Sequence, residues 1–197
     1  MRLRNLVGAL ATIALLACDG PERATASPDA QALTQQSPTS AVVASAKGSG
    51  CFDLSGACLG PGCVEFDAVR YADNSSSGQF RMRRPGAPGT IVGFAARVTC
   101  LVVDAANNRA WLGAVITQNF STDPAALTSI NEVGDDVWFR VVDYAGTEPL
   151  LPDRATVLGF EGSAGFIRSI DYCDGRPWPA GDVRTWPFFS GNLAVSP

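Results

Sequence analysis

Apolar and polar residues alternate in short runs over much of this chain, and Gly, Asn, Asp and Pro separate one run from the next. A period of two is typical of strands that bury one face, whereas helical periodicity is nearly missing. Residues 64–71 and 79–84 both alternate in this way, and the polar turn at 73–78 between them predicts a hairpin. We therefore expect an all-β fold, an antiparallel sandwich or small barrel with at most one short helix.

The most apolar part of the chain predicts a second hairpin. Residues 91–103 and 109–117 are aliphatic on both faces and flank a turn at 104–108. Strands that are apolar on both faces belong in the middle of a fold, away from a sheet edge. Further strands are predicted at 136–143, 154–161 and 191–195. The one short helix is predicted within 122–127, where Pro124 suits a first helical turn.

The beginning of the chain has the layout of an export signal. Two arginines precede an uncharged apolar run, which is too short to span a bilayer permanently and ends at Cys18. This opening resembles the lipobox of bacterial lipoproteins, in which the cysteine that begins the mature chain carries a lipid, and Leu15 and Ala17 fit the preceding positions. We expect residues 1–17 to be a signal peptide and Cys18 to anchor the protein to a membrane of the bacterial envelope, in the periplasm or at the cell surface.

Two alternatives remain for this opening. A secretory signal cleaved after the A-x-A-like triplet Ala24-Thr25-Ala26 would leave Ser27 as the first residue of a secreted protein. Cys18 could also be a small apolar filler within the signal, since a free cysteine packs like a hydrophobic residue. In every case the protein is exported.

Composition divides the remainder into a tether and a domain. Residues 18–50 are rich in Ser, Thr, Ala, Gln and Pro and contain no aromatic residue. Such a segment cannot bury enough apolar area to offset its ordering entropy, so it is predicted to be a disordered tether. Residues 51–197 have the size and apolar content of a single β-domain.

Charge and histidine content exclude several functions. The chain carries 15 basic and 19 acidic side chains, a formal net charge of −4, and loses two arginines with the signal. Nucleic acid is therefore not expected as a partner. The chain contains 0 histidines, which removes the usual general base and the commonest metal ligand. We expect no cofactor and favour a protein that is not an enzyme.

The 6 cysteines indicate disulfides, because exported proteins work where these bonds persist. The expected scheme joins Cys100 to Cys173 over a long range and makes one local bridge among Cys51, Cys58 and Cys63. The spacing does not assign the local pair. It also differs from the short paired spacing of zinc sites, so no metal is predicted.

Short motifs of the domain occur in an order that resembles the exported bacterial β-domain found beside choice-of-anchor P modules. In that family they read V-T-C-L, G-N-x-A, I-G-G-x-I-T, V-x-D-x-G with a following aspartate, a late cysteine and a closing G-N-I-x-V strand. The corresponding residues here are 98–101, 107–110, 112–117, 141–146 with Asp153, 171–173 and 190–195. The chain departs at Asn107 and Ala114, where the family has glycine, and inserts one residue between Asp143 and Gly146.

The resemblance covers residues 64–195 and leaves the cluster of Cys51, Cys58 and Cys63 unexplained. It implies an exported β-domain with a structural bridge between Cys100 and Cys173. It carries over no catalytic residue.

Carboxylates are the first candidates for chemistry. Five acids gather around one predicted strand and the loop after it: Asp135, Asp136, Asp143, Glu148 and Asp153. They lack the ligand spacing of a calcium loop, which favours solvated loops. Glu65 and Asp67 share one strand face, as the paired carboxylates of a glycoside hydrolase would, although the outward face of a half-buried strand is the simpler interpretation.

Aromatic and basic residues are the second candidates. The Pro- and Gly-rich C-terminal segment holds five aromatic residues: Tyr172, Trp178, Trp186, Phe188 and Phe189. They could stack on sugar rings or a partner, or close one end of a barrel. Arg81, Arg83 and Arg84 form a basic cluster that could pair with acids across a strand or contact anionic lipid.

Our leading hypothesis is a non-enzymatic, envelope-anchored binding or structural module whose protein or glycan partner is unknown. The alternative is a small-ligand or carbohydrate binder that uses the mouth of a barrel, with weak hydrolytic activity from carboxylates. Inward polar side chains would support that alternative, and the pattern places Thr99, Thr117 and Arg140 there.

Overall fold

The computed structural model describes residues 40–53, 60–127, 131–144, 148, 150–160, 165–179 and 183–197. All of these residues belong to one compact unit, Ser37–Pro197. The residues of the other unit, Met1–Gln36, are not among those described. The strands are β1 (Val42–Asp53), β2 (Pro61–Tyr71), β3 (Ser76–Pro85), β4 (Ile91–Asp104), β5 (Arg109–Asn119), β6 (Asp136–Val142), β7 (Arg154–Thr156), β8 (Gly159–Phe160) and β9 (Thr185–Ser196). Within the described ranges there is one α-helix, α1 (Ser169–Gly175). The all-β prediction is confirmed.

The sheet closes into a barrel. Hydrogen-bonded neighbours run β5-β4-β3-β2-β1-β9-β7-β6, all antiparallel, and β6 pairs again with β5. The short β8 pairs with β6 on the same side as β7. Closure pairs the backbone groups that a sheet edge would leave exposed. As predicted for the apolar hairpin, β4 and β5 have a strand on each side.

Alternating side chains fill the barrel with a packed core. Phe66, Phe80, Phe94 and Phe139 are at most 3 % exposed and touch one another, with centroids 4.7 Å apart for Phe80 and Phe139 and 5.4 Å for Phe66 and Phe139. Burying each such ring contributes about 1.5–3 kcal/mol relative to leaving it in water. The alternation predicted for residues 64–71 and 79–84 is confirmed, because Val64, Phe66, Phe80 and Met82 all point inward.

A bulge in β4 directs a second set of side chains outward. Val98 pairs with Ala114 and Cys100 with Gly113, so Thr99 is an extra residue between them. The bulge changes the facing of the strand and presents Cys100 to α1 on the outer wall. A Cβ atom on Gly113 would lie only 2.7 Å from Ser169 Cβ, and glycine at this position lets the helix approach the strand directly.

The predicted end of the tether at residue 50 is wrong, because β1 begins at Val42. Ala44 and Ala46 are at most 2 % exposed, and Leu193 and the Phe188 ring occupy the space where Gly48 and Gly50 lack side chains. A strand of small residues fits the barrel here because larger side chains from a neighbouring strand fill the space beside it. The rest of the predicted tether, up to residue 39, lies outside the described residues, as does the predicted signal peptide at 1–17.

Other element boundaries also differ from prediction. The segment at 122–127 contains only a 3₁₀ turn, Ala125–Leu127, and the α-helix lies at Ser169–Gly175 instead. Seven residues make two helical turns, too few to reveal helical periodicity. The strand predicted at 154–161 is two short strands, β7 and β8, and the closing strand extends well before residue 191.

Candidate functional site

The outer wall of the barrel carries a pocket of about 200 Å³ beside α1 and the β7–β8 turn. Its main side chains come from β6, β7, α1, the segment leading into β9 and β9 itself. They are Trp138, Thr156, Tyr172, Trp178, Arg184 and Trp186. We call this the outer aromatic pocket. It brings together three of the five aromatic residues of the C-terminal segment that the sequence singled out.

The floor of the pocket is a rigid aromatic pair. Trp138 and Tyr172 are 2 % and 1 % exposed and stack with centroids 5.8 Å apart and an interplanar angle of 23°. Phe166 supports both rings edge-on, at 6.3 Å from Trp138 and 5.5 Å from Tyr172. Gly159 lies directly against the Trp138 indole, because a Cβ atom at this position would overlap Trp138 Nε1. The floor is therefore fixed before any ligand arrives.

The wall formed by Trp178 is held by side chains of the barrel. Arg140 donates to the carbonyl oxygens of Trp178 and, at 2.7 Å, of Val183. Trp111 Nε1 donates to the Pro177 carbonyl at 3.0 Å. Such anchoring preorganises a site and lowers the entropy lost on binding.

The same segment adopts an unusual backbone at two pocket residues. Trp178 and Arg184 have backbone φ angles of 53° and 59°, in the left-handed region that residues other than glycine rarely adopt. The Arg184 guanidinium lies 4.7 Å above the Trp178 ring, in cation–π contact. Left-handed backbone of this kind costs about 1 kcal/mol or more and persists where neighbouring contacts hold it.

One polar group on the floor is only weakly engaged. Tyr172 Oη is buried beside the Thr156 side chain, without a hydrogen bond of normal length and angle among the described residues. Burial raises the pKa of Tyr172 far above its ordinary value of 10.0, and the contact with Thr156 and the positive charge of Arg140 lower it only partly. The hydroxyl therefore stays protonated at physiological pH and keeps its proton available for donation.

The two remaining C-terminal aromatic residues lie outside this pocket. Phe188 points into the barrel and stacks on Phe52 at 5.5 Å, so it belongs to the core. Phe189, its neighbour, is 65 % exposed. Strand alternation separates these two residues.

The three predicted inward polar residues do not face the barrel interior. Thr99, at the bulge, bonds through its hydroxyl to Ser169 Oγ of α1 at 2.8 Å. Thr117 is exposed and donates to the Ala95 carbonyl. Arg140 is 0 % exposed but lies on the outer face of β6, under the segment that it holds. The prediction for these residues was wrong because strand alternation alone does not identify the side that α1 and its neighbouring loops cover.

The candidate calcium acids serve mainly as backbone acceptors. Asp153 accepts from the N–H groups of Tyr144 at 2.9 Å and Leu193 at 2.8 Å, and Asp143 accepts from Val195 at 3.0 Å. Both aspartates are buried, so the expectation of solvated loops is wrong for them. Asp136 accepts from Ser169 N at 2.6 Å and Asp135 from Glu132 N at 3.1 Å, whereas Glu148 is exposed. No group of three or more potential metal ligands occurs in the described part of the chain.

Three of the remaining charged candidates line an open cleft on the outer face of β1, β2 and β3. Its volume is about 780 Å³, and Glu65, Asp67 and Arg81 are among its lining residues. Arg81 lies opposite Glu65 in the strand register and over the Phe120 ring at 5.4 Å. Arg83 and Arg84 follow on the same strand, with Arg84 donating to the Pro85 carbonyl. Opposite charges on neighbouring strands stabilise a solvated sheet face.

The cysteine prediction is confirmed where the structure describes it. Cys100 is bonded to Cys173, and Cys51 to Cys63 directly opposite it in the strand register. Cys18 and Cys58 lie outside the described residues. Two disulfides indicate an oxidising, extracytoplasmic location. Among the described residues, no helix has the length and apolar character needed to cross a membrane.

Several residues of the site escaped the sequence analysis. Trp138 and Trp111 were assigned to strands without a role, and Gly159 to the middle of a longer strand. The available signal was a large aromatic residue on the outward face of a strand that is apolar on both faces. Such a residue indicates that another element of the fold covers that face. The helix that covers both tryptophans was not predicted.

Comparisons of this chain with models of known families, with curated proteins and with solved structures find no match. The resemblance to the β-domain that accompanies choice-of-anchor P modules therefore stays a prediction.

Proposed function

We propose that this protein is a non-enzymatic binding module of the bacterial envelope that holds a pyranose ring of a glycan in the outer aromatic pocket. The observation that carries the proposal is a preformed pocket of about 200 Å³ with three tryptophans and one tyrosine around it. A pocket of this size accommodates one sugar ring rather than an extended chain. Preformed concave sites with a few placed polar groups are typical of small-ligand binding.

Stacking supplies the main attraction. Trp178 and Trp186 are half-buried, so part of each indole remains available to a ligand, whereas Trp138 and Tyr172 are buried beneath them. One face of a pyranose carries mainly C–H groups and packs on an aromatic ring, removing apolar area from water on both sides.

Polar groups at the pocket favour a ligand with hydroxyls over a plain hydrocarbon. The Tyr172 hydroxyl on the floor is protonated and only weakly engaged by Thr156, and the exposed Arg184 guanidinium adds donors at the entrance. Sugar hydroxyls accept from both. The positive charge of Arg184 disfavours a quaternary ammonium ligand, which aromatic cages otherwise bind.

Anchoring and export complete the proposal. A lipid on Cys18 would hold the domain at a membrane, and the segment between Cys18 and β1 would give it reach towards neighbouring glycans. Two disulfides support a domain that works outside the cytoplasm. The secreted form that begins at Ser27 is the alternative for location.

The test is a titration of the purified mature protein with a panel of neutral and acidic saccharides. Binding is monitored by indole fluorescence and by calorimetry. We expect at least one saccharide to bind and Trp186→Ala to weaken it at least about tenfold, because truncating a central aromatic contact typically costs more than 1 kcal/mol. Phe189→Ala is the matched control. It removes an exposed aromatic residue of the same strand that lies outside the pocket, and it should leave the affinity unchanged.

Two results would contradict the proposal. One is the absence of binding by every saccharide of the panel. The other is an equal loss of saccharide affinity in Phe189→Ala and Trp186→Ala, which would place the contact on the exposed face of β9.

A further inference from the structure

A second cavity, of about 80 Å³, lies at one end of the barrel interior. Its lining is almost entirely apolar and includes Phe52, Val64, Met82, Val92 and Phe160. Arg84 and Asn131 are the lining residues with polar side chains. We call this the barrel-end cavity.

Asn131 is the unusual member of this lining. It is 0 % exposed, and neither its amide oxygen nor its amide nitrogen has a hydrogen-bond partner among the described residues. A buried amide without partners costs about 1–3 kcal/mol per unsatisfied group, so such groups call for an explanation. The other side of the cavity offers aromatic and aliphatic carbon.

Water alone is a poor explanation for this arrangement. A buried water generally makes about three hydrogen bonds, and a cavity lined mostly by carbon offers few partners for them. Asn131 could hold one water, but further waters in a cavity of about 80 Å³ would face carbon on most sides. A ligand with an apolar body and one polar end suits the lining better.

We propose that the barrel-end cavity binds a small, mostly apolar molecule whose single polar group is a primary amide or a protonated carboxylic acid. Either group presents one acceptor and one donor side by side, which matches the amide nitrogen and amide oxygen of Asn131 in a cyclic pair of hydrogen bonds. The aliphatic chain of the ligand then packs against Val64, Val92 and Phe160. This site is independent of the glycan proposed for the outer aromatic pocket, although Val157 and Leu158 line both spaces.

The test compares two probes that differ in one group. Propanamide carries the proposed amide on an ethyl chain short enough for a cavity of about 80 Å³, and butanone replaces its NH₂ by CH₃. Both are titrated into the purified mature protein, and binding is monitored by methyl NMR and calorimetry. We expect propanamide to bind about tenfold more tightly than butanone, because the ketone lacks the donor that Asn131 Oδ1 requires.

Asn131→Leu tests the residue directly. The variant should lose the preference for the amide, bind the ketone at least as well, and melt at the same temperature as the parent or higher, because an unpartnered buried amide has been removed. Trp178→Ala, whose ring packs with the aromatic cluster of Trp138 and Tyr172 outside the barrel core, should leave propanamide affinity unchanged. If Asn131→Leu does not fold, the ratio of the two probes on the parent protein decides.

The proposal is overturned if neither probe binds, if both bind the parent equally, or if Asn131→Leu keeps the preference for the amide. A high-resolution structure with propanamide that shows only water beside Asn131 would also overturn it. Failure of saccharide binding would leave these outcomes unaffected, so the two proposals fail separately.

Discussion

Asp123 joins two loops through a single carboxylate. Its Oδ2 accepts from Ala87 N at 2.8 Å and from the Thr90 hydroxyl at 3.1 Å, while Oδ1 accepts from Ala125 N at 3.0 Å. These hydrogen bonds, first of all the one from Ala87, hold the pKa of Asp123 below its ordinary value of 3.8. The β3–β4 turn is thereby tied to the segment after β5.

The lowered pKa of Asp123 predicts acid sensitivity. A carboxyl whose pKa is lower in the folded state stabilises the protein fully above its unfolded pKa, and this contribution disappears as pH falls through the folded pKa. We expect Asp123→Asn to be less stable than the parent in urea at about pH 7, and the difference to shrink below about pH 4. Asp174→Asn, an exposed change on α1, is the control and should follow the parent at both pH values. A difference for Asp123→Asn that is constant with pH would contradict this role.

Single residues also show where strand periodicity stops being informative. The inward facing of Phe66 and Phe80 follows from alternation and was predicted. Arg140 follows the same alternation, yet its side had to be decided by what covers β6. Nothing local in the sequence distinguishes an outward position under a loop from an inward position in a core.

Helix α1 depends on its disulfide more than on helical propensity. It has seven residues, and its N-cap residue, Arg168, makes no side-chain capping hydrogen bond; Asp136 of β6 accepts from Ser169 N instead. Helices this short are not stable alone in water, so packing and covalent attachment must hold them. Cys173 supplies the attachment to β4, and Tyr172 the aromatic contact with Trp138.

The two disulfides should therefore differ in their effects. The Cys100–Cys173 bond spans a sequence separation of 73 and the Cys51–Cys63 bond one of 12. Loop-closure entropy predicts that removing the longer bridge costs about 1.5 kcal/mol more in free energy of unfolding. We expect Cys100→Ser with Cys173→Ser to show this larger loss in urea, together with red-shifted tryptophan emission as α1 loosens over Trp138. Equal losses for the two pairs and unchanged emission would show that α1 is held by packing alone.

The complete protein is expected to be a lipid-anchored envelope component, and its intact mass tests this. Protein extracted from native membranes should have a mature chain that begins at Cys18 and carries a lipid. Reduction should raise the mass by the hydrogens of the two bridges. An unlipidated chain that begins at Ser27 would contradict the anchor and leave a secreted protein with the same domain. An extracted protein that still contains residues 1–17 would also contradict the prediction that this segment is a cleaved signal peptide.

Local chemistry accounts for much of this molecule. The short alternating runs and the turn residues between them were sufficient to predict an all-β domain, because the facing of a strand depends on nearby residues. The cysteine content was sufficient to predict disulfides and an extracytoplasmic location, because disulfides persist in oxidising compartments. The Cys100–Cys173 pair was predicted from the number and positions of the cysteines and from the resemblance to the exported β-domain.

Closure of the barrel was decided by the tertiary structure, through the pairing of β5 with β6 and the recruitment of residues 42–50 into β1. The choice of Cys63 as the partner of Cys51 follows from the register of β1 and β2. The outer aromatic pocket and the barrel-end cavity likewise depend on contacts between segments far apart in the chain. Such contacts form because distant side chains complement one another in volume and hydrogen bonding, and no local pattern records that complementarity.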